Sequence, residues 1–239
     1  MSLLERVHRG AADLLGDSVE IPELCTLIRR YLYFKLHGRS HNIDGTPAPL
    51  DDCPPFEGVP INIFLSAVAT YYAPSDPSGS GGMRREHIRA TPQWRSGPPR
   101  YDCVFLNKDD RAQGLLGLNI ARVRLFFSFK YEGETHACAA VHWYERIYDE
   151  PDIDTGMWIV TPSYTSGTRR RRRVPRCSVV GLDTIVRAAH LIGVSIGQSV
   201  SPQQTSDSSL DTFSRFYVNK YVDHHAFELL HHPVVTVTQ

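Results

Sequence analysis

Ala121-Arg-Val-Arg-Leu-Phe-Phe-Ser-Phe129 is the stretch that decides the fold. Val123, Leu125, Phe127 and Phe129 recur at every second position, with Arg122, Arg124 and Ser128 between them. A period of two is the signature of a strand with one buried face. Upstream lies a second apolar run, Tyr101-Asp-Cys-Val-Phe-Leu106. Downstream, Lys130-Tyr-Glu-Gly133 turns the chain and Ala137-Cys-Ala-Ala-Val-His-Trp-Tyr144 runs back. Met157-Trp-Ile-Val160 and Cys177-Ser-Val-Val180 add two short strands. Joined by Gly- and Asp-containing turns, these runs predict an antiparallel β meander, curled or closed into a small barrel.

Helical spacing flanks this core. Ile21, Leu24, Leu27 or Ile28, and Tyr31 share one stripe, with Pro22 in the first turn and Gly38 as the stop. Residues 38–58 are rich in Pro, Asp and Gly and read as a long surface loop. Val59 to Tyr72 reads as a strand, although its polar spacing also suits a helix, and Arg84 to Trp94 reads as irregular. Asp183 is placed to cap a short helix through Ile185, Val186 and Ala189. From Ser209, a helix is predicted with Leu210, Phe213, Tyr217, Tyr221 and His224 on its buried stripe and Phe216 off it. The predicted organisation is α+β. An N-terminal helical segment and loop occupy residues 1–58, a β-rich core 59–194, and a polar loop with a docking C-terminal helix 195–239.

Composition narrows the function classes. Lys and Arg number 26 and Asp and Glu 26, so no global charge attracts nucleic acid and any such contact must be local. The apolar runs are too short to span a membrane, and the first residues lack the order of a signal peptide. Five cysteines without a C-x-x-C pair predict free thiols in a reducing compartment, nuclear or cytoplasmic.

Eight strings then occur in one order: Ser66-Ala-Val-Ala-Thr-Tyr-Tyr-Ala-Pro-Ser75, Gly81-Gly-Met83, Pro99-Arg-Tyr-Asp102, Ala121-Arg-Val-Arg-Leu-Phe-Phe127, Cys138-Ala-Ala-Val-His-Trp143, Asp154-Thr-Gly-Met-Trp-Ile159, Leu182-Asp-Thr-Ile-Val-Arg-Ala-Ala-His-Leu191 and Phe216-Tyr-Val-Asn-Lys-Tyr-Val-Asp-His-His225. Together they resemble the C-terminal region of the KDZ (Plavaka-type) transposase proteins of mushroom-forming basidiomycete fungi. In that family, strand transfer is attributed to an upstream RNase-H-like domain with acidic metal ligands. The resemblance therefore implies a non-catalytic, transposon-derived accessory module without that domain, and no cofactor. At fold level, the meander with Leu182 to Arg187 is also similar to the BAH chromatin-reader domain. The arginine insertion departs from the family pattern.

Four groups of residues bear on function. Arg169, Arg170, Arg171, Arg172 and Arg173, with Arg176, form a run able to fork onto phosphates or to serve an import receptor. It is the expected contact to DNA or chromatin, set against a solvated loop as the plainer alternative. Consecutive antiparallel strands would put this run and the Tyr131-Glu-Gly133 turn at one end of the sheet. The acidic turn from Asp149 to Asp154 would lie at the other end, roughly 17–25 Å away. Asp149, Glu150, Asp152 and Asp154 are the basis of an alternative reading, a metal-dependent nuclease or other cryptic enzyme, but their spacing lacks the later bidentate Glu of a calcium loop. Trp143, Tyr144, Tyr148 and Trp158 border that turn as a possible aromatic cage for a methyl-ammonium, against the plainer reading of sheet packing. His224, His225, His231 and His232 lack a chelating spacing, so no metal is assigned and half-buried histidines are expected. No nucleophile elbow or phosphate loop occurs.

Overall fold

The computed structural model describes residues 1–11, 21, 23–38, 48–76, 79–165, 173–195, 205 and 207–231. In chain order the strands are β1 (Ser2–Ala11), β2 (Pro60–Tyr72), β3 (Met83–Thr91), β4 (Arg100–Tyr101), β5 (Cys103–Asn107), β6 (Leu118–Tyr131), β7 (Glu134–Arg146), β8 (Ile159–Pro162), β9 (Tyr164–Thr165), β10 (Val174–Pro175), β11 (Cys177–Gly181), β12 (Ile185–Ala189), β13 (Leu191–Gly193) and β14 (Phe216–Val218). The helices are α1 (Leu24–Leu36), α2 (Ser209–Thr212) and α3 (His224–Leu230). The result is a mostly antiparallel sheet with few helices, an α+β fold, and the sheet is not closed into a barrel.

β6 is the axis of the sheet. It pairs along its length with β7, and its other edge is shared by β5 over Leu118 to Arg122 and β2 over Phe126 to Phe129. The β6–β7 turn is Glu132-Gly133, both at positive φ (48° and 86°). That backbone matches the twist of a two-residue hairpin. Between Val123 and Leu125 the register slips, leaving Arg124 as an extra residue opposite no partner on β7. This bulge corrects the simple alternation read from the sequence, because one inserted residue inverts the facing of everything beyond it. Val123 joins Ala121 and Phe126 in a core with Ala139 and Val141. Leu125, Phe127 and Phe129 enter a different core with Cys138 and Ala140, roofed by Leu24, Leu27, Ile28 and Tyr31 of α1. β6 is therefore buried on both faces.

A third core gathers Cys103, Phe105, Ile120, Tyr144, Trp158, Val160, Phe216 and Leu230. Several segments differ from expectation. The chain start is a strand, since Ser2 to Ala11 pairs with β2 and adds an edge to the sheet. Met83 to Thr91 is not irregular: Ile88 and Ala90 alternate inward and Arg85, His87 and Arg89 outward, so it is strand β3. Ile185 to Ala189 is strand, not helix, with Ile185, Arg187 and Ala189 buried at period two against β5. The long C-terminal helix is replaced by α2, β14 and α3. Phe216 and Val218 are buried at strand spacing while Tyr221 is 58% exposed. Helix α1 and strand β2 form as expected, and α1 stops at Gly38 with φ 69°.

The bulge changes which core substitutions matter. Leu125 is 4% exposed under α1, whereas Trp143 is half-buried at the rim of the second core, its indole N–H donating to Ser178 Oγ at 2.8 Å. Leu125→Ala is expected to cost about 2–5 kcal/mol, and Trp143→Ala less than that. Urea midpoints of the two variants check the order.

Candidate nucleic-acid interface

The arginine run is rooted in the middle of a sheet edge. β8 runs along β7 from Val160 opposite Arg146 to Pro162 opposite Tyr144, leaves it, and the chain rejoins as β11 with Cys177 opposite His142. The excursion is the hairpin β9–β10. Three backbone bonds close its base around Trp143. Ser163 N–H donates to the Trp143 carbonyl (2.8 Å), Trp143 N–H to the Arg176 carbonyl (3.0 Å), and Arg176 N–H to the Ser163 carbonyl (2.9 Å). Arg173 lies 6.0 Å from the Tyr164 ring. Arg169, Arg170, Arg171 and Arg172 lie outside the described residues.

This placement corrects the expected layout. The hairpin base sits near Arg146, the end of β7 that leads to the acidic turn, and far from the Glu132-Gly133 turn. The physical cause is that β8 and β11 share one edge of β7 in line, so the connection leaves sideways.

Beside the hairpin base lies a cleft of about 1150 Å³. It runs alongside α1, whose Leu27, Arg30 and Phe34 line one wall. Under the helix this sheet face is apolar, with Leu125, Ala140 and Val179; beyond it the same face presents Arg122, Arg124 and His142 to the cleft. Tyr164, Val174 and Arg176 of the hairpin segment line the cleft, and Asp211 of α2 lies across from it. Arg122 is buried. Its Nη atoms bind both oxygens of Asp211 and its Nε donates to the Tyr101 carbonyl at 3.2 Å. That bidentate pair holds the Asp211 carboxyl below its usual range. Arg124 stacks 4.4 Å from the Tyr101 ring. His142 Nε2–H donates to the Ser163 carbonyl at 2.8 Å. Burial pushes the His142 pKa down, and Arg124 and Arg122 push it the same way. The imidazole is thus a neutral donor that braces the hairpin.

A second polar centre joins β12 to α3. Arg187 is 2% exposed and binds Asp223 through both Nη atoms, at 2.8 and 2.6 Å. Glu86 Oε1 is 3.5 Å away, His225 Nδ1 3.2 Å, and the Tyr71 ring 5.0 Å. Asp223 also caps α3 by accepting from Ala226 N–H at 2.7 Å. The hydrogen bonds from Arg187 hold its carboxyl down at about 2.

The remaining expectations resolve simply. Trp143 and Tyr144 are neighbours on opposite faces of β7. Tyr144 and Trp158 are buried in the third core, with Arg146 stacked 5.1 Å from Trp158, and Tyr148 is exposed. The four form no cage. Asp152 Oδ1 accepts from Thr155 N–H (2.9 Å) and Oγ1–H (2.7 Å), a self-contained turn. Among the described residues no three His, Cys, Asp or Glu side chains converge as a metal site. His225 is half-buried beside Arg187, His224 is exposed, and His232 lies outside the described residues. The Arg122–Asp211 and Arg187–Asp223 pairs were missed. The available signal was an arginine at an inward position of an otherwise apolar, alternating strand, as in Ile185-Val-Arg-Ala-Ala189.

No family model, curated protein or solved structure matches this chain, and none confirms the fold-level likeness to a BAH domain. Among the described residues no helix is long and apolar enough to cross a membrane.

The histidines predict an acid dependence. Burial lowers the pKa of His136, His142 and His225 below 6.5. Below that pH the unfolded chain takes up protons that the folded chain refuses, so stability falls as pH drops from about 6.5 towards the folded values. Thermal melts between pH 8 and pH 5 (both about) should show Tm falling in this window, and His142→Gln should flatten part of the fall.

Proposed function

We propose that the chain is a non-catalytic, transposon-derived nuclear module that binds nucleic acid through the β9–β10 hairpin and the cleft at its base. The observation that supports this most is the backbone-bonded segment that carries Arg176, the last arginine of the cluster. Arg176 lines the same cleft as Arg122, Arg124 and a braced His142, and Arg173 lies against the Tyr164 ring of the hairpin. Three backbone bonds among Trp143, Ser163 and Arg176 fix the base of the hairpin against β7. Guanidinium forks on phosphate oxygens supply affinity with little reading of sequence.

Duplex DNA is the expected partner of the hairpin. With about four or five arginines engaged, log K against log salt should slope near −4. Replacing Arg169 through Arg173 with Ser should abolish binding and leave the melting temperature unchanged. Retained binding with the same salt slope would remove the hairpin from this role. A cytoplasmic shift of the Ser variant in cells, with DNA binding intact, would assign the run to an import receptor instead.

A further inference from the structure

Away from the hairpin, a second basic surface is built on β3 and β4. Along β3, Arg85, His87 and Arg89 point outward at alternate positions, while Ile88 and Ala90 face the core. Outward side chains on a strand recur roughly every 7 Å, a spacing comparable to successive phosphates of one extended nucleic-acid strand. The row ends on Trp94. Three guanidinium groups surround that ring, Arg89 at 4.1 Å, Arg95 at 5.3 Å and Arg100 at 5.6 Å. Asp102 pairs with Arg100 at 2.8 Å and accepts from the Arg89 backbone N–H at 2.9 Å.

The loop that carries Trp94 is held in an unfavourable shape. Arg95 and Ser96 are both non-glycine residues at positive φ, 49° and 59°. The Trp94–Pro98 and Gly97–Trp94 backbone bonds lock them there. Left-handed backbone at two successive side-chain-bearing residues persists only where surrounding contacts enforce it, and it concentrates at ligand clamps. Here the turn places Arg95 with Arg89 and Arg100 around one aromatic plane, a cluster of guanidinium groups that attracts an anionic ligand.

We infer that the outer face of β3 with the Trp94 cluster is a binding track for a single-stranded nucleic acid. Arg85 and Arg89 of the row follow the phosphates of one strand, and the guanidinium groups around Trp94 offer their other faces to bases by the same attraction. A duplex offers no free base planes, and an acidic peptide offers charge without planes. This track does not depend on the hairpin. The two surfaces lie on different strands, and each is testable with the other disabled.

The test uses the full chain carrying Ser at Arg169 through Arg173, so that hairpin binding is absent, and a fluorescein-labelled oligothymidylate followed by anisotropy. Arg89→Gln, Arg95→Gln and Arg100→Gln combined should weaken binding by roughly tenfold or more and reduce the salt slope by about 2. Because Arg100 holds Asp102, a second variant, Arg85→Gln with Arg95→Gln, changes only exposed side chains and should still weaken binding severalfold at an unchanged melting temperature. Trp94→Leu, which keeps every charge, should lower affinity for oligothymidylate more than for inorganic polyphosphate. Affinity unchanged in both arginine variants overturns the track. So does displacement of the oligonucleotide by polyglutamate at equal charge, which would mark the face as a site for an acidic protein. If the hairpin fails to bind duplex DNA while these variants behave as stated, the track stands and only the hairpin reading falls.

Discussion

Phe216→Ala is expected to destabilise the protein by about 3–5 kcal/mol and to free the C-terminal segment from the sheet. Phe216 is 0% exposed and lies in the third core with its ring edge-on to Tyr144 at 5.8 Å and Phe213 at 6.5 Å. It is the side chain through which β14 joins β8 and β13, since Phe216 pairs with both Val160 and Gly193. Truncation removes the largest apolar group of that junction and leaves a cavity bounded by strands that cannot collapse without breaking their ladders. The neighbouring tyrosine provides the contrast: Tyr221, 58% exposed, should tolerate Ser within roughly 1 kcal/mol. Hydrogen exchange in the Phe216→Ala protein should show lost protection over β14 and α3 first. If Tyr221→Ser is the more damaging of the two, the C-terminal segment is helical after all and the strand pairing is wrong.

The contrast also shows where sequence reasoning fails in this chain. Leu210, Phe213, Tyr217, Tyr221 and His224 satisfy a helical stripe, yet Phe216 and Val218 satisfy a strand over the same residues. Three residues are too few for periodicity to choose between them. The choice was made by a partner distant in sequence, the free edge of β8. The same holds for Ile185 to Ala189, whose alternation is complete only when β5 supplies the other side. In β6 and β7, by contrast, the runs are long, the turn is a two-residue Glu-Gly hairpin, and both strands and their pairing follow from the sequence alone. Even there the bulge at Arg124 is invisible, because an extra residue inside an apolar run leaves the composition unchanged.

The candidate interface was legible in its charges and not in its placement. Six arginines between Arg169 and Arg176 stand out in any reading of the chain. That Arg176 lies beside Trp143 in mid-edge depends on β8 and β11 sharing one edge of β7. The cleft residues Arg122, Arg124 and His142 look like the solvated side of a strand in the sequence. They become a site because α1 covers the neighbouring apolar part of that face and walls the cleft with Leu27, Arg30 and Phe34.

Asp223→Asn is expected to cost about 3–5 kcal/mol, more than Arg187→Met at the other end of the same pair. The asymmetry follows from what each change leaves behind. Removing Asp223 strands the Arg187 guanidinium, whose side chain is 2% exposed, while removing Arg187 leaves Asp223 at 23% exposed and able to take up water. Glu86 at 3.5 Å and the Tyr71 ring at 5.0 Å compensate only in part. Asparagine is the informative substitution because it still accepts from Ala226 N–H and preserves the cap of α3. The loss it reports is therefore that of the charge pair. Acid titration gives an independent readout. The folded Asp223 carboxyl sits at about 2 against an unfolded value near 3.8, so its contribution is complete above the unfolded value and is lost as pH falls towards the folded one. Wild-type stability should decline through that window, and Asp223→Asn should lack that part of the decline. Should Arg187→Met prove the costlier change, or the acid profile of Asp223→Asn match wild type, Asp223 is not what neutralises the buried arginine. Glu86 would then be the partner that holds β12 to the rest of the sheet.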